Sequence, residues 1–312
     1  MFTDSNLLAK ADAAEVDTSI PKISVLAALA VIAAMTFGYF TDILLRQISA
    51  PVFISAAASA VLFIILFFLQ SIFIKGKTLN LSIILAETIG LSLFFVLNDY
   101  SFIMLAAAAI AYFALFVSLK NSKNELKNQL KINVMPIMKM SVPKTVAAIA
   151  ILVAAVYSQP FYPDHIVISK DLINSIVRPS ETLIKFADNY LHLGLNNFSV
   201  NMTLFQLANG DPAYLAALES QAASWGIKIA SNETILDATY NYVNDKVQKL
   251  NQTVKWAIFG VILLLAFLTV KSLFWLVYWL IYLLIFLFYE ILMALGFCRI
   301  SSEQISKEII IL

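Results

Sequence analysis

Seven apolar runs, each near the length of a bilayer crossing, constrain this chain more than any motif in it. They are approximately Ile23–Leu45, Val52–Ile74, Leu79–Leu97, Ser101–Leu119, Val142–Tyr157, Val254–Val270 and Leu273–Phe297. A helix rises about 1.5 Å per residue, so roughly 20 residues cross about 30 Å of hydrocarbon. Backbone polar groups find no water there, and a spanning helix satisfies them within itself. Apolar residues make up 61% of the chain and charged residues 13%. An ordinary globular domain has about 45–50% and about 25%. The expected fold is an all-α multispan membrane bundle of about seven transmembrane helices, with a small extracytoplasmic α/β domain.

The last two runs need an argument of their own. Val254–Phe297 is about 66 Å as one helix, too long for a single crossing. The sequence therefore predicts a transmembrane hairpin over 254–297, turning at Lys271-Ser272. Prolines support the other boundaries: Pro21, Pro51 and Pro143 sit where helices start, and a missing N–H costs least there. Alanines crowd the first, second and fourth runs, so those helices should pack closely. The last run is bulky (Trp275, Trp279, Phe286), which suits a face turned to lipid or to a partner.

Charge sets the orientation. From Lys120 to Lys144 there are six lysines and one acid, Glu125. Positive charge in short loops is retained on the cytoplasmic side. The chain then divides into a cytoplasmic tail (1–22), a four-helix group (23–119), a basic cytoplasmic linker (120–144) and a fifth span (145–157). An extracytoplasmic domain (158–253), the hairpin (254–297) and a C-terminal tail (298–312) follow. This makes an integral protein of the cell membrane with its N-terminus cytoplasmic, residues 158–253 outside and, after seven crossings, its C-terminus outside.

The outer segment Ser158–Thr253 is the one long polar stretch. His165–Ser169, the alternating Phe198–Leu204 and Ile227–Ile229 read as short strands. Ser180–Leu193 carries a helical apolar stripe that Gly194 closes. Asp211-Pro212 opens a helix to Trp225. From Ser231, Leu236, Tyr240, Val243, Val247, Leu250 and Val254 step by 4 and 3, predicting one unbroken helix into the sixth span. That seam is expected to pack on its own domain.

Few residues invite chemistry. Glu87, mid-span in the third run, is costly in hydrocarbon and is the leading intramembrane candidate. Glu290 and Arg46 fall toward the outer leaflet and are candidates to pair with each other. Against a functional role, a structural contact, or Glu87 held protonated and hydrogen-bonded to a neighbouring hydroxyl, is the preferred reading, because one or two acids without a polar path do not make a transport route. Lys120, Lys123, Lys127 and Lys131 share a helical face that suits anionic headgroups, but a solvated loop that sets topology explains them as well and is the preferred reading. Asn197, Asn201, Asn232 and Asn251 begin N-x-Ser/Thr sequons, candidate glycosylation sites on an outside segment. His165 and His192 have no metal-ligand spacing, and Cys298 alone permits no intrachain disulfide. Phosphate loops, nucleophile elbows and paired acids are absent, so the sequence implies no catalytic residue, cofactor or metal.

The reading is a non-enzymatic membrane scaffold or surface-interaction protein. Its partners are membrane lipid and a protein bound through the outer domain or the last two helices, with no nucleic acid. The alternative is a small-solute or ion transporter or channel using Glu87, though no Gly/Pro-broken helices or inverted repeat accompany it.

Overall fold

The structure, a computed structural model, describes residues 19–47, 49–98, 102–129, 132–163, 166, 168–191, 198–224, 229–230, 232–297, 299–302 and 308–311. Six helices among them are long and apolar enough to cross a membrane. They are α1 (Ile20–Arg46), α2 (Ala50–Phe73), α3 (Lys77–Asn98), α4 (Phe102–Asn128), α5 (Val134–Ser158) and α10 (Gln252–Ala294). Between α5 and α10 lie α6 (Lys170–Leu191), α7 (Leu204–Leu207), α8 (Pro212–Ser224) and α9 (Ile235–Gln248). After α10, β1 (Arg299–Ser302) pairs antiparallel with β2 (Glu308–Ile311). The chain divides into two compact units, Met1–Tyr157 with Leu263–Leu312, and Ser158–Ile262.

In the first unit α1 runs closest to α2 and α3, and α4 lies against both α3 and α2. Small residues make the approach of α1 and α3 close. A Cβ built on Gly38 would stand 2.9 Å from the Leu91 carbonyl oxygen, and one on Gly90 would stand 3.0 Å from Met35 Cγ. Buried Ala30, Ala33, Ala34, Ala60, Ala107 and Ala111 continue the pattern. Lipid is as apolar as leucine, so close van der Waals packing supplies much of the attraction between these helices.

The fifth span departs from expectation. The apolar run of 16 residues becomes a 25-residue helix with Pro143 inside it, not at its start. Ile137, Met138, Val142, Val146, Ala148, Ile149, Ala150 and Leu152 are all buried, and no residue from Ser141 to Val156 is exposed, whereas Met135, Met140 and Tyr157 nearer its ends are. The hydroxyls of Ser118, Ser141 and Thr145 bind across α4 and α5: Ser118 Oγ lies 2.7 Å from Ser141 Oγ and 2.9 Å from Thr145 Oγ1. The expected linker 120–144 is mostly helix, because α4 continues to Asn128 and α5 begins at Val134.

The hairpin over 254–297 is not formed. α10 is one helix of 43 residues, giving six long apolar helices where seven were expected. Lys271-Ser272 carries no residue that breaks a helix, and the Ser272 hydroxyl donates back to the Thr269 carbonyl at 2.8 Å. α10 ends in a Schellman turn: Phe297 N–H donates to the Leu292 carbonyl, Gly296 N–H to that of Met293, and Gly296 has φ +67°. Lys22 Nζ donates to the Phe297 carbonyl at 2.6 Å and lies over its ring. Phe73 meets both Phe297 and a stacked Tyr289. The start of α1, the end of α2 and the end of α10 therefore lie together. Lys123 Nζ reaches the Lys75 carbonyl at 3.0 Å, adding the α4 end to the same side.

In the second unit the described residues form no strand; the one bridge joins Thr203 to Thr234. The expected α/β domain is replaced by helices, for local reasons. At Ile168 the backbone N–H and C=O both bind the Asn244 side chain, at 3.1 and 3.4 Å, where a strand neighbour would otherwise sit. In the alternating stretch Phe198–Leu204, the Glu181 carboxylate takes the Val200 N–H at 2.7 Å and the Ser199 hydroxyl at 2.8 Å, folding the chain into a turn. Thr203 then opens α7 with a capping box to Gln206. Of the third expected strand, Ile227 and Lys228 lie outside the described residues and Ile229 carries no strand.

Two helices of this unit follow their sequence signals. Asp211 Oδ1 accepts the Ala213 N–H at 2.9 Å, starting α8 at Pro212. The seam residue Leu236 is buried with Ile173 and Val200, and Tyr240 and Val243 pack on them, so the seam serves its own domain. Helix α6 runs straight through Pro179, beginning ten residues before the expected Ser180. The unbroken helix from Ser231 is not found. α9 stops at Gln248, and Asn251 Oδ1 accepts the Thr253 N–H at 3.2 Å to begin α10 afresh.

Candidate functional site

Glu87 sits on α3 with no exposed surface, between Ile84 and Leu91, which are also fully buried. The hydroxyl expected to hold it does not: Thr88 Oγ1 donates to the Ile84 carbonyl of its own helix at 2.8 Å. Ser92, a turn further on, likewise donates to the Thr88 carbonyl. The side chain that faces the carboxyl is Gln70 of α2, itself fully buried. Neither oxygen of Glu87, and neither polar atom of the Gln70 amide, meets a partner at hydrogen-bond distance and angle. A buried polar group without a partner costs about 1–3 kcal/mol, more if charged, so this acid-amide pair is the most unusual polar feature of the described spans.

Gln70 was not singled out in the sequence, though it is the only glutamine in the run Val52–Ile74. That isolation was the available signal. Its role is legible only once the tertiary structure brings it to face Glu87 of α3. A second polar side chain near this end of α2 does find partners: Asn80 Nδ2 donates to the Ile74 and Gly76 carbonyls at 2.8 and 3.0 Å, closing the α2–α3 turn.

Glu290 is exposed on α10, one position beyond the buried Tyr289. Arg46 ends α1, and its side chain lies outside the described residues. Their expected pairing is ruled out by the direction of α10. Glu290 lies about 10 Å along the chain from Phe297, which Lys22 holds at the start of α1. Arg46 lies about 36 Å from Lys22, at the other end of the same helix.

Three of the four sequons coincide with helix starts. Asn201 and Asn232 are exposed, and their threonines, Thr203 and Thr234, cap α7 and α9. Exposed Asn251 is itself the cap of α10. Asn197, His165, His192, Lys131 and Cys298 lie outside the described residues. Among the described residues no group of three or more His, Cys, Asp or Glu side chains is placed to hold a metal ion.

Two carboxylates of the second unit are tuned by their contacts. The Val200 N–H, with the Ser199 hydroxyl, holds the Glu181 carboxyl below the usual carboxylate range. The Lys170 ammonium, with the Thr234 hydroxyl, does the same for Asp237. Both tie separate stretches of the unit together: Glu181 of α6 to the Ser199-Val200 turn, and Lys170 of α6 to Asp237 of α9. They act as clamps, since each acceptor is spent on its neighbours. No family model, curated protein or solved structure matches this chain.

Proposed function

We propose that this is a non-enzymatic multi-pass protein of the cell membrane that presents the Ser158–Asn251 segment outside the cytoplasm to a protein partner. The observation that carries this reading is α8. It buries only Ala222, and it shows Tyr214 and most of the run Pro-Ala-Tyr-Leu-Ala-Ala-Leu to solvent, a helix face for a partner to cover. The orientation rests on charge. Lys22, Lys75 and Lys123 meet at one end of the spans, and Lys120 and Lys127 belong to the same end of α4, so that end is the cytoplasmic one. Six crossings then return the C-terminus to the side of the N-terminus, in place of the outside position that seven crossings required.

Photo-crosslinking from position 214 or 217 in intact cells tests the partner. A discrete crosslinked protein from these positions, absent from a label at the lipid-exposed Trp279, is the expected result. A ladder of unrelated products from all three positions would count against a specific partner.

The second reading, an ion or small-solute pathway through Glu87, is favoured by the unpaired Glu87 and Gln70. Reconstituted protein should then pass ions or solute across vesicles and lose that flux in Glu87→Gln. Flux equal to empty vesicles would remove this reading.

A further inference from the structure

We propose that the second half of α4 binds an anionic phospholipid, with an acyl chain along Phe113 and Phe116 and the headgroup at Lys120 and Lys127. The inference rests on the membrane reading above and goes beyond it by naming a lipid class and the side chains that select it.

Helical arithmetic sets the face. At 3.6 residues per turn, Ala109, Phe113, Phe116, Lys120 and Lys127 fall on one side of α4. All are exposed except Phe116, which is half-buried with its ring 6.4 Å from that of Phe113. The residues by which α4 packs, Ala107, Ala111, Leu115, Ser118 and Ser122, are buried on the opposite side. Ser118 meets Ser141 and Thr145 of α5 there, so the lysine face is turned away from α5.

The face changes character at one level. Phe102–Leu119 carries no charge and extends about 27 Å, close to the roughly 30 Å of hydrocarbon. Lys120 is the first charge on the helix and stands where headgroups lie. Lys127 follows two turns later, about 10 Å further on, and its long stem reaches back toward the same level. The solvated loop that would have left these lysines in water is not formed, because α4 continues as helix to Asn128.

The other charges at this end are placed elsewhere. Lys123, on the flank of the face, is spent on the Lys75 carbonyl at 3.0 Å. Glu125 stands on the far side of the helix, where it accepts from Gln129 Nε2 at 3.3 Å. No acid among the described residues pairs with Lys120.

Two ammonium groups at the phosphate level favour a headgroup of net negative charge, since a zwitterionic one brings its own cation to the same place. Each lysine near an anionic membrane surface contributes a factor of about five. Phe116 and Phe113 lie about 6 and 10 Å below Lys120 along the axis, within the roughly 15 Å that one leaflet's acyl chains span. Charge and chain are thus met by one molecule on one face.

Native mass spectrometry of the full chain in detergent tests this with phosphatidylglycerol against phosphatidylcholine of the same acyl chains. The unaltered protein should retain phosphatidylglycerol at least tenfold more tightly, and Lys120→Gln with Lys127→Gln should bring that preference close to one. Lys120→Arg with Lys127→Arg should keep it, as should Lys139→Gln at an exposed lysine of α5. Glycerol phosphate, which has the charge without the chains, should not compete at equal concentration. Equal retention of the two lipids by the unaltered protein would overturn the proposal. So would a preference that survives in the Gln pair, one lost as fully in the Arg pair or in Lys139→Gln, or competition by glycerol phosphate. Recovery of the chain in the membrane fraction after an alkaline wash tests the membrane reading by itself, whichever headgroup is bound.

Discussion

At Glu87 the burial of one carboxyl decides what a substitution does. Glu87 and Gln70 leave four polar atoms without partners inside the span packing. Replacing one member by an apolar side chain removes part of that cost. Glu87→Leu is expected to raise thermal stability, by about 1–3 kcal/mol, whereas Glu87→Gln should change it by less than about 1 kcal/mol. Heat denaturation in detergent reads both, and a clearly destabilised Leu variant would show that the pair is satisfied in the folded protein. A second residue prediction concerns acid. Glu181 and Asp237 have folded pKa values below their unfolded ones near 4, so their contacts contribute above that value and are lost as pH falls toward the folded values. Between pH 5 and pH 3 the second unit should lose stability, and Glu181→Gln should flatten part of that slope. An identical acid profile for Glu181→Gln would refute the clamp. None of this was visible in the chain as a string, because Glu181 and Val200 are brought together only by the turn between α6 and α7.

At the scale of the element, α10 carries the clearest disagreement between pattern and structure. Length argued for a hairpin, yet nothing at Lys271-Ser272 turns a chain, and continuous hydrogen bonding through the helix is the cheaper arrangement. Spin labels at positions 257 and 286 decide it. One helix places them about 44 Å apart, whereas a hairpin turning at 271–272 would bring them within about 15 Å. Asn251 is the complementary case, a boundary that the heptad arithmetic passed over. Asn251→Ala should cost about 1 kcal/mol at the start of α10 and speed amide exchange at Thr253. Unchanged exchange there would mean that the cap contributes nothing. The α1–α3 crossing yields a sterner test: Gly38→Ala forces a Cβ toward the Leu91 carbonyl, and overpacking of this kind typically costs about 1–3 kcal/mol.

For the whole molecule, the proposed arrangement, with all six long apolar helices crossing and the lysine-bearing end cytoplasmic, predicts where each part lies. With Cys298 replaced by serine, an impermeant thiol reagent on intact cells should label Ser220→Cys and leave Asn124→Cys unlabelled. Both positions are exposed in the fold, so silence at 124 reports the membrane and not burial. A tag after Leu312 should be protected together with position 124. Labelling at 124, or an accessible tag, would reverse or break the arrangement.

Composition and run length alone determined that this chain makes long apolar helices, and placed three of the six, α1 to α3, within a few residues at both ends, with α4 and α5 each matched at one end. Hydrocarbon-length stretches leave the backbone one economical conformation, whatever their neighbours. Caps read from short range also held, as at Asp211-Pro212, because both partners lie within one turn. What needed tertiary structure was every choice between equal local options. Alternating stretches in Ser158–Thr253 became turns because Glu181 and Asn244, distant in the chain, supply the hydrogen bonds a strand would have required. The burial of the middle of α5, the side chain that faces Glu87 and the return of α10 to the start of α1 were likewise set by packing between helices, and no periodicity within one helix encodes which neighbour it will meet.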